Sequence, residues 1–99
     1  MIDPRLWKIW GIAKANLKSA RGYLVDAVGE ASEHLLEQFD EYLAHNEFGL
    51  AIDELAGVAD ELNCKAAFWK CLEAAAEAME LPESALTYKE RFYAEVRRR

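Results

Sequence analysis

The sequence predicts an all-α fold, and three observations support that class. Apolar residues recur at spacings of three and four along almost the whole chain, which is the period of a helix with one buried face. No stretch alternates with the period of two that a half-buried strand requires. Short interruptions with Gly, Pro or Asn separate the periodic stretches. We therefore expect residues 1–99 to form a single-domain, up-and-down bundle of four to five antiparallel helices.

The first predicted helix covers about residues 4–27. Asp3 can accept hydrogen bonds from the free amides of a helix start, and Pro4 fits the first helical position. Its predicted core-facing residues are Leu6, Ile9, Trp10, Ala13, Leu17, Ala20, Leu24 and Val28. Gly29 interrupts the pattern, and the second predicted helix then continues to about His45. Its predicted inward residues are Leu35, Leu36, Phe39, Tyr42 and Leu43.

Three further helices are predicted in the second half of the chain. Asn46 is predicted to cap the third, which ends at about Asn63, because its short side chain can accept hydrogen bonds from free amides. The fourth covers about residues 64–80 and the last about 83–97, since Pro82 disfavours helical geometry in the residue before it. The predicted core residues of these helices are Phe48, Ile52, Leu55, Ala59, Leu62, Cys64, Phe68, Cys71, Leu72, Ala75, Met79, Leu86, Phe92 and Val96.

Cys64 and Cys71 are the only cysteines. If both lie on the fourth helix, their Cα atoms are about 10 Å apart, which is too far for a disulfide. We therefore expect two reduced thiols that pack in the core.

Charge is distributed very unevenly along the chain. Residues 1–22 carry five cations and one anion, residues 64–99 carry seven cations and six anions, and residues 23–63 carry eleven carboxylates without any Lys or Arg. The segments thus contribute +4, +1 and −11 to the formal net charge of −6. The eleven carboxylates are Asp26, Glu30, Glu33, Glu37, Asp40, Glu41, Glu47, Asp53, Glu54, Asp60 and Glu61.

This acidic segment, residues 23–63, creates a field that attracts cationic partners and repels nucleic acid and anionic lipid. Charge runs on helices are usually solvated surfaces. Ordinary surface helices nevertheless mix signs, because opposite charges four residues apart stabilise a helix. The complete absence of cations therefore favours a functional acidic surface on the second and third predicted helices.

We expect a cytoplasmic protein with no membrane partner. The chain lacks a run of about 20 uncharged apolar residues, and its start lacks the basic and apolar order of a signal peptide. The first helix does combine cations with Trp7 and Trp10, which is also typical of helices that lie on membranes. We interpret Trp10 as a core residue and the lysines as facing water or neighbouring carboxylates, because an anionic membrane would repel the acidic segment.

Little in the sequence indicates catalysis, and we expect no enzyme activity, cofactor or metal. His34 and His45 would lie about three turns apart on one helix, so they cannot bind one metal ion together. The glycines form no phosphate-binding loop. A catalytic carboxylate pair needs an enclosed cleft that raises one pKa, and short helices rarely form one.

One stretch carries a resemblance to a known family. From Tyr42 to Leu55 the chain reads YLAHNEFGLAIDEL, a His-Asn-Glu turn between two helices followed by an Ala-x-x-x-Leu core repeat. It resembles the small all-helical bacterial immunity proteins of the Maf and contact-dependent growth inhibition type, with a match from about Leu35 to Leu81. The resemblance implies a protein that binds and neutralises a toxin domain, often a ribonuclease. Toxin-contacting residues vary among such proteins, so none is transferred.

Our leading hypothesis combines this resemblance with the charge pattern. A nuclease presents Lys and Arg where phosphates bind, so an acidic helical face can occlude its substrate groove. We expect a chain that is monomeric when free and that uses Tyr42 as an aromatic anchor. The residues predicted to contact the partner are Glu37, Asp40, Glu41, Tyr42, Glu47, Asp53, Glu54, Asp60 and Glu61.

Two alternatives remain open from the sequence. The acidic segment also suits an adaptor or nucleic-acid mimic that sequesters a basic DNA-binding protein. A helical scaffold could instead self-associate through aromatic side chains predicted to be exposed, namely Trp7, Trp69 and Tyr93.

Overall fold

A computed structural model describes residues 4–29, 32–60, 62 and 64–98, and these residues form six helices joined by short turns. The helices are α1 (Pro4–Val28), α2 (Ser32–Leu35), α3 (Glu37–Ala44), α4 (Phe48–Ala59), α5 (Ala66–Ala78) and α6 (Pro82–Arg97). The all-α class is confirmed, and the described part of the chain contains no strand. The predicted second helix is divided at Leu36, so the structure has one more helix than the largest predicted number.

Helix α5 is central to the packing. It contacts α1, α4 and α6, while α4 also packs against α1 and α3. The largest fully buried side chains on α1, α3, α4 and α5 are Leu17, Leu24, Phe39, Phe48, Ile52, Leu55, Phe68, Trp69 and Leu72. They belong to one continuous core. Phe39 of α3 and Leu55 of α4 are fully buried in it, and this burial fixes which side of each helix faces inward.

Two of the helix junctions use the same local turn. After α3, the amide of Asn46 donates to the carbonyl of Leu43 and the amide of Glu47 to that of Tyr42. After α5, Glu80 donates to Glu77 and Leu81 to Ala76 in the same pattern. Asn46 and Glu80 both have φ of 57°, as a Schellman motif requires of the residue that ends the helix.

This turn corrects the prediction that Asn46 caps the next helix. Asn46 ends α3 instead, and Glu47 occupies the cap position of α4 without a side-chain cap hydrogen bond. The local reason is that Asn tolerates the left-handed backbone conformation that terminates a helix. The predicted cap Asp3 and the predicted helix end Asn63 lie outside the described residues.

Several predicted core positions are exposed instead. Leu6 and Leu35 are exposed, as are Leu86 and Val96 of α6. In α6 the buried side chains are Ala85 and Tyr88, and half-buried Phe92 packs beside them. Of the three core residues predicted for this helix, Phe92 is therefore confirmed, while Leu86 and Val96 are wrong.

Trp69 is also placed differently from the expectation. The residue is 2 % exposed, and its ring packs edge-on against Phe68 and stacks on Tyr88 at centroid distances of 4.9 and 6.0 Å. It is therefore a core residue and contributes nothing to an exposed aromatic surface.

Both cysteines are free. The prediction placed Cys64 on the helix, but it is buried in the turn before α5. Cys71 is half-buried on α5. Burial raises the pKa of both thiols, so neither has the lowered pKa of a reactive cysteine.

Among the described residues, no helix is both long enough and apolar enough to span a bilayer.

Candidate functional site

A groove runs between α2 and α3 on one side and the second half of α4 on the other. It consists of two cavities of about 290 and 360 Å³ that share Leu35, Glu54 and Val58. We call it the acidic groove, and its described lining residues are His34, Leu35, Glu37, Gln38, Glu41, Glu54, Gly57, Val58 and Leu62.

The acidic rim follows from helical spacing. Glu37 and Glu41 are four residues apart on α3, so they lie on the same side of that helix. The opposite side of α3 carries Phe39 and Leu43, which are buried and fix the orientation of the helix. Glu54 of α4 lies across the groove and completes the rim.

The floor of the groove is apolar. Leu35 is 40 % exposed, while Val58 and Leu62 are half-buried and pack against the core. Polar groups around an apolar centre are typical of protein-binding surfaces, because the centre is dehydrated on binding and the rim provides specific pairing.

Among the described residues, the carboxylates of the rim have no Lys or Arg beside them in the groove. Within the described part of the chain, Glu37, Glu41 and Glu54 also form no ion pair. Their charges are therefore available to a partner.

Asp40 differs from its neighbours on α3. Its Oδ1 and Oδ2 accept hydrogen bonds from Nε and Nη2 of Arg21 on α1, each at 2.7 Å. The hydrogen bond to Asp40 is the largest cause that raises the pKa of Arg21. This two-bond geometry is the strongest form of an Arg-carboxylate pair, so Asp40 connects α3 to α1.

Asp60, which follows α4, is paired in a similar way. Arg91 of α6 donates from Nη1 to its Oδ1 at 2.8 Å, and the same guanidinium lies 4.1 Å from the ring centroid of Trp69. The cation-π contact holds Arg91 against the core. Asp60 is therefore directed at α6 and away from the acidic groove.

Asp53 lies on the same side of α4 as Asp60, seven residues before it. Burial raises the pKa of Tyr88 to about 12, and the charges of Asp53 and Asp60 add to the increase. A hydrogen bond with Ser84 acts in the opposite direction. The acids of α4 and of its C-cap are thus divided: Glu54 faces α3, whereas Asp53 and the C-cap residue Asp60 act on α6.

The other predicted contact residues are dispersed. Tyr42 is half-buried against the core, which limits its use as an anchor. Glu47 is exposed in the turn before α4, and Glu61 lies outside the described residues. Of the predicted set, the acidic groove therefore brings together Glu37, Glu41 and Glu54.

Sequence reasoning missed the apolar floor. Leu35 was predicted to be a core residue and is exposed. Leu62 does pack against the core as predicted but also lines the groove, and Val58 was not singled out. The signal that was available is the pair of consecutive leucines, Leu35 and Leu36, since one helix face cannot bury both equally. The structure buries Leu36 and leaves Leu35 in the groove.

Over the described residues, no group of three or more His, Cys, Asp or Glu side chains is arranged to hold a metal ion. Comparisons of the chain with protein-family models, curated proteins and solved structures each return no match. The geometry and charge of the acidic groove are therefore the main basis for a functional proposal.

Proposed function

We propose that this protein is an immunity protein, a cytoplasmic inhibitor that binds a cognate bacterial toxin domain and occludes its basic surface. The observation that carries the proposal is the acidic groove, where Glu37, Glu41 and Glu54 surround an apolar floor and have no ion pair with a described residue. The sequence resemblance to small helical immunity proteins supports the same function.

The proposed mechanism is occlusion through complementary charge. A nuclease that binds RNA or DNA must present Lys and Arg to the phosphates. The carboxylates of the groove can pair with those cations, and an apolar side chain of the toxin can cover Leu35. Pairs formed next to an apolar floor are less solvated than exposed pairs, so each charge interaction is stronger there. Substrate phosphates are then excluded, and the inhibitor itself needs no catalytic group, cofactor or metal.

The acidic segment would also accelerate association. Long-range attraction between opposite charges raises association rates, and added salt weakens it because the Debye length falls to about 8 Å at physiological ionic strength. Asp53 and Glu47 are exposed and can contribute to this attraction from outside the groove. Asp40 and Asp60 contribute less, since each already pairs with an arginine.

The test begins with the protein that the full chain captures from its native host, identified by mass spectrometry and purified. Its affinity for the wild type is compared with that for Glu37→Gln/Glu41→Gln/Glu54→Gln, which keeps the side-chain shapes and removes three charges. We expect binding to weaken by about 100-fold or more, because truncated interfacial charge pairs typically cost about 2 kcal/mol or more. Inhibition of the partner's nuclease activity should weaken in parallel.

The matched control is Asp26→Asn/Glu77→Gln/Glu80→Gln, which removes the same number of charges from exposed positions outside the groove. This control should retain wild-type affinity apart from a small change in association rate. If both triple variants lost affinity equally, binding would depend on net charge and not on the groove. Unchanged affinity in the groove variant would refute the proposed site.

The second candidate is an acidic adaptor or nucleic-acid mimic. The same carboxylates would then occupy the DNA site of a basic DNA-binding protein. The apolar floor favours the immunity function, because a phosphate mimic needs spaced charges and no apolar centre. A captured protein that binds DNA and lacks nuclease activity would favour the mimic.

A further inference from the structure

Helix α6 carries two apolar stripes, and only one of them is used inside the protein. The inner stripe consists of Ala85, Tyr88 and Phe92, together with the N-cap residue Leu81, and these residues pack in or against the core. The outer stripe consists of Leu86, Lys89, Tyr93 and Val96, all of them exposed. Its spacing of three, four and three residues is that of a helix-packing seam.

The outer stripe is more apolar than an ordinary exposed helix face. Leu86 is 58 % exposed, and Tyr93 and Val96 are each 47 % exposed. Lys89 lies between them and can lay its aliphatic stem along the stripe with its charge at the edge. Scattered exposed apolar residues are common, but three of them on one seam indicate a contact surface.

We propose that the outer stripe is the contact between two copies of this chain, related by a twofold axis with their α6 helices antiparallel. The axis passes near the midpoint between Lys89 and Glu90. Leu86 and Tyr93 are equally distant from that point, so Leu86 of each copy packs on Tyr93 of the other. Such a contact uses the same patch twice, as a twofold interface must.

The charges at the ends of the stripe favour this arrangement. Glu83 in the first turn and Arg97 in the last turn of α6 are symmetric about that midpoint to within one residue, which is about 1.5 Å along the helix, and they lie on one flank of the helix. In the antiparallel pair, Glu83 of one copy meets Arg97 of the other at both ends. A parallel pair would place like charges together, which is unfavourable.

Neither charge has an ion-pair partner among the described residues of its own chain. Arg97 donates only to the backbone carbonyl of Tyr93, and Glu83 forms no ion pair there. Near the axis, Lys89 and Glu90 of both copies form a neutral group of four charges. The whole stripe is therefore complementary to itself.

This contact is independent of the proposed toxin binding. The outer stripe shares no residue with the acidic groove, so a dimer can present two grooves. The proposed dimer differs from the sequence-based expectation that the free chain is a monomer. Two four-turn helices bury an area at the low end of specific interfaces, so we expect a dissociation constant on the order of micromolar.

The experiment is sedimentation equilibrium of the full chain over about 1 to 300 µM, a range that brackets such a constant. We expect the wild type to change from monomer to dimer with concentration. Leu86→Glu should remain monomeric throughout, whereas Leu50→Glu should dimerise like the wild type. Leu50 is the matched control, because it is an exposed leucine of α4 at 49 %. Circular dichroism should show the same helicity in all variants.

A charge exchange gives a second test that does not depend on Leu86. Lys89→Glu places four carboxylates at the axis and should abolish the dimer. Lys89→Glu/Glu90→Lys restores two charges of each sign and should recover it. A wild type that stays monomeric up to the highest concentration would overturn the proposal. So would a double variant that fails to recover, or a dimer that Lys89→Glu leaves intact.

Discussion

Two groups of carboxylates on neighbouring helices behave differently in this protein. In the acidic groove, Glu37, Glu41 and Glu54 have no ion pair with a described residue. Asp40 and Asp60, from the same acidic segment, each accept hydrogen bonds from an arginine at 2.7 to 2.8 Å. The two groups have the same chemistry, and only their surroundings distinguish them.

This difference separates stabilising from binding charges. Arg21 lies in the cationic N-terminal segment and Arg91 in the C-terminal segment. Each of these two segments therefore forms an ion pair with a carboxylate of the acidic segment. They connect α3 to α1 and the end of α4 to α6. The carboxylates that these arginines do not reach are the ones that a cationic partner can use.

The largest change in stability is expected at high pH and involves Tyr88 of α6, which lies near the carboxylates of Asp53 and Asp60. Burial, with Asp53 and Asp60, raises the pKa of Tyr88 from 10.0 to about 12 in the folded protein. Because the folded-state pKa is the higher one, this contribution is complete below pH 10 and is lost as the pH rises toward 12. We expect the free energy of unfolding of the wild type to fall by about 2 kcal/mol more than that of Tyr88→Phe over this range.

Urea unfolding at fixed pH values measures this difference. Tyr23→Phe, on α1 and outside both proposed contact surfaces, is the control and should retain the dependence of the wild type. Asp53→Asn/Asp60→Asn should lower the folded-state pKa of Tyr88, so the decline should be smaller and end at a lower pH. The triple amide variant of the groove should leave the decline unchanged. If the free energy of unfolding of Tyr88→Phe fell as steeply with pH as that of the wild type, Tyr88 would not be the group responsible.

A smaller effect is expected at the pair between α1 and α3. Arg21→Gln removes both hydrogen bonds to Asp40 and should lower the free energy of unfolding by about 1 kcal/mol, since the pair is bidentate but partly exposed. Chemical denaturation measures the loss, and Lys18→Gln, at an exposed lysine of the same helix, should change little. Adding Asp40→Asn to Arg21→Gln should cost almost nothing further, as a double-mutant cycle of one pair requires.

The smallest effect is expected in the groove and has the opposite sign. Glu41→Lys places a cation four residues after Glu37, which should replace a repulsive pair with an attractive one and stabilise the protein by about 0.3 to 0.5 kcal/mol. The same variant should bind the partner more weakly than the wild type. Thermal unfolding and binding measurements test this trade-off together.

Asp40→Lys provides the contrast on the same helix. It removes the pairing with Arg21 and places two cations together, so it should destabilise the fold. If both lysine variants changed stability in the same direction, the two groups of carboxylates would not differ as described.

Local signals in the sequence predicted most of the helices correctly. Pro4 and Pro82 begin α1 and α6 because proline fits the first helical position. Gly29, with φ of 72°, follows the end of α1 because it adopts the left-handed conformation at low cost. These features depend on nearest neighbours in the chain, so they can be read without knowledge of the fold.

The orientation of α6 could not be predicted in this way. Its inner and outer stripes differ by one residue, and both have the spacing of a buried face. The choice depends on α5, where Trp69 stacks on Tyr88 and Lys70 lies over Phe92 at 5.3 Å. The periodicity of a single helix contains no information about which of two equivalent faces meets a neighbour.

The sequence by itself determined the all-helical class and the concentration of eleven carboxylates in residues 23–63, because period and composition are properties of the chain. Only the tertiary structure decided which carboxylates remain available. Arg21 and Asp40 are 19 residues apart, and Asp60 and Arg91 are 31 apart. Packing of the core brings these pairs together and leaves Glu37, Glu41 and Glu54 around the acidic groove.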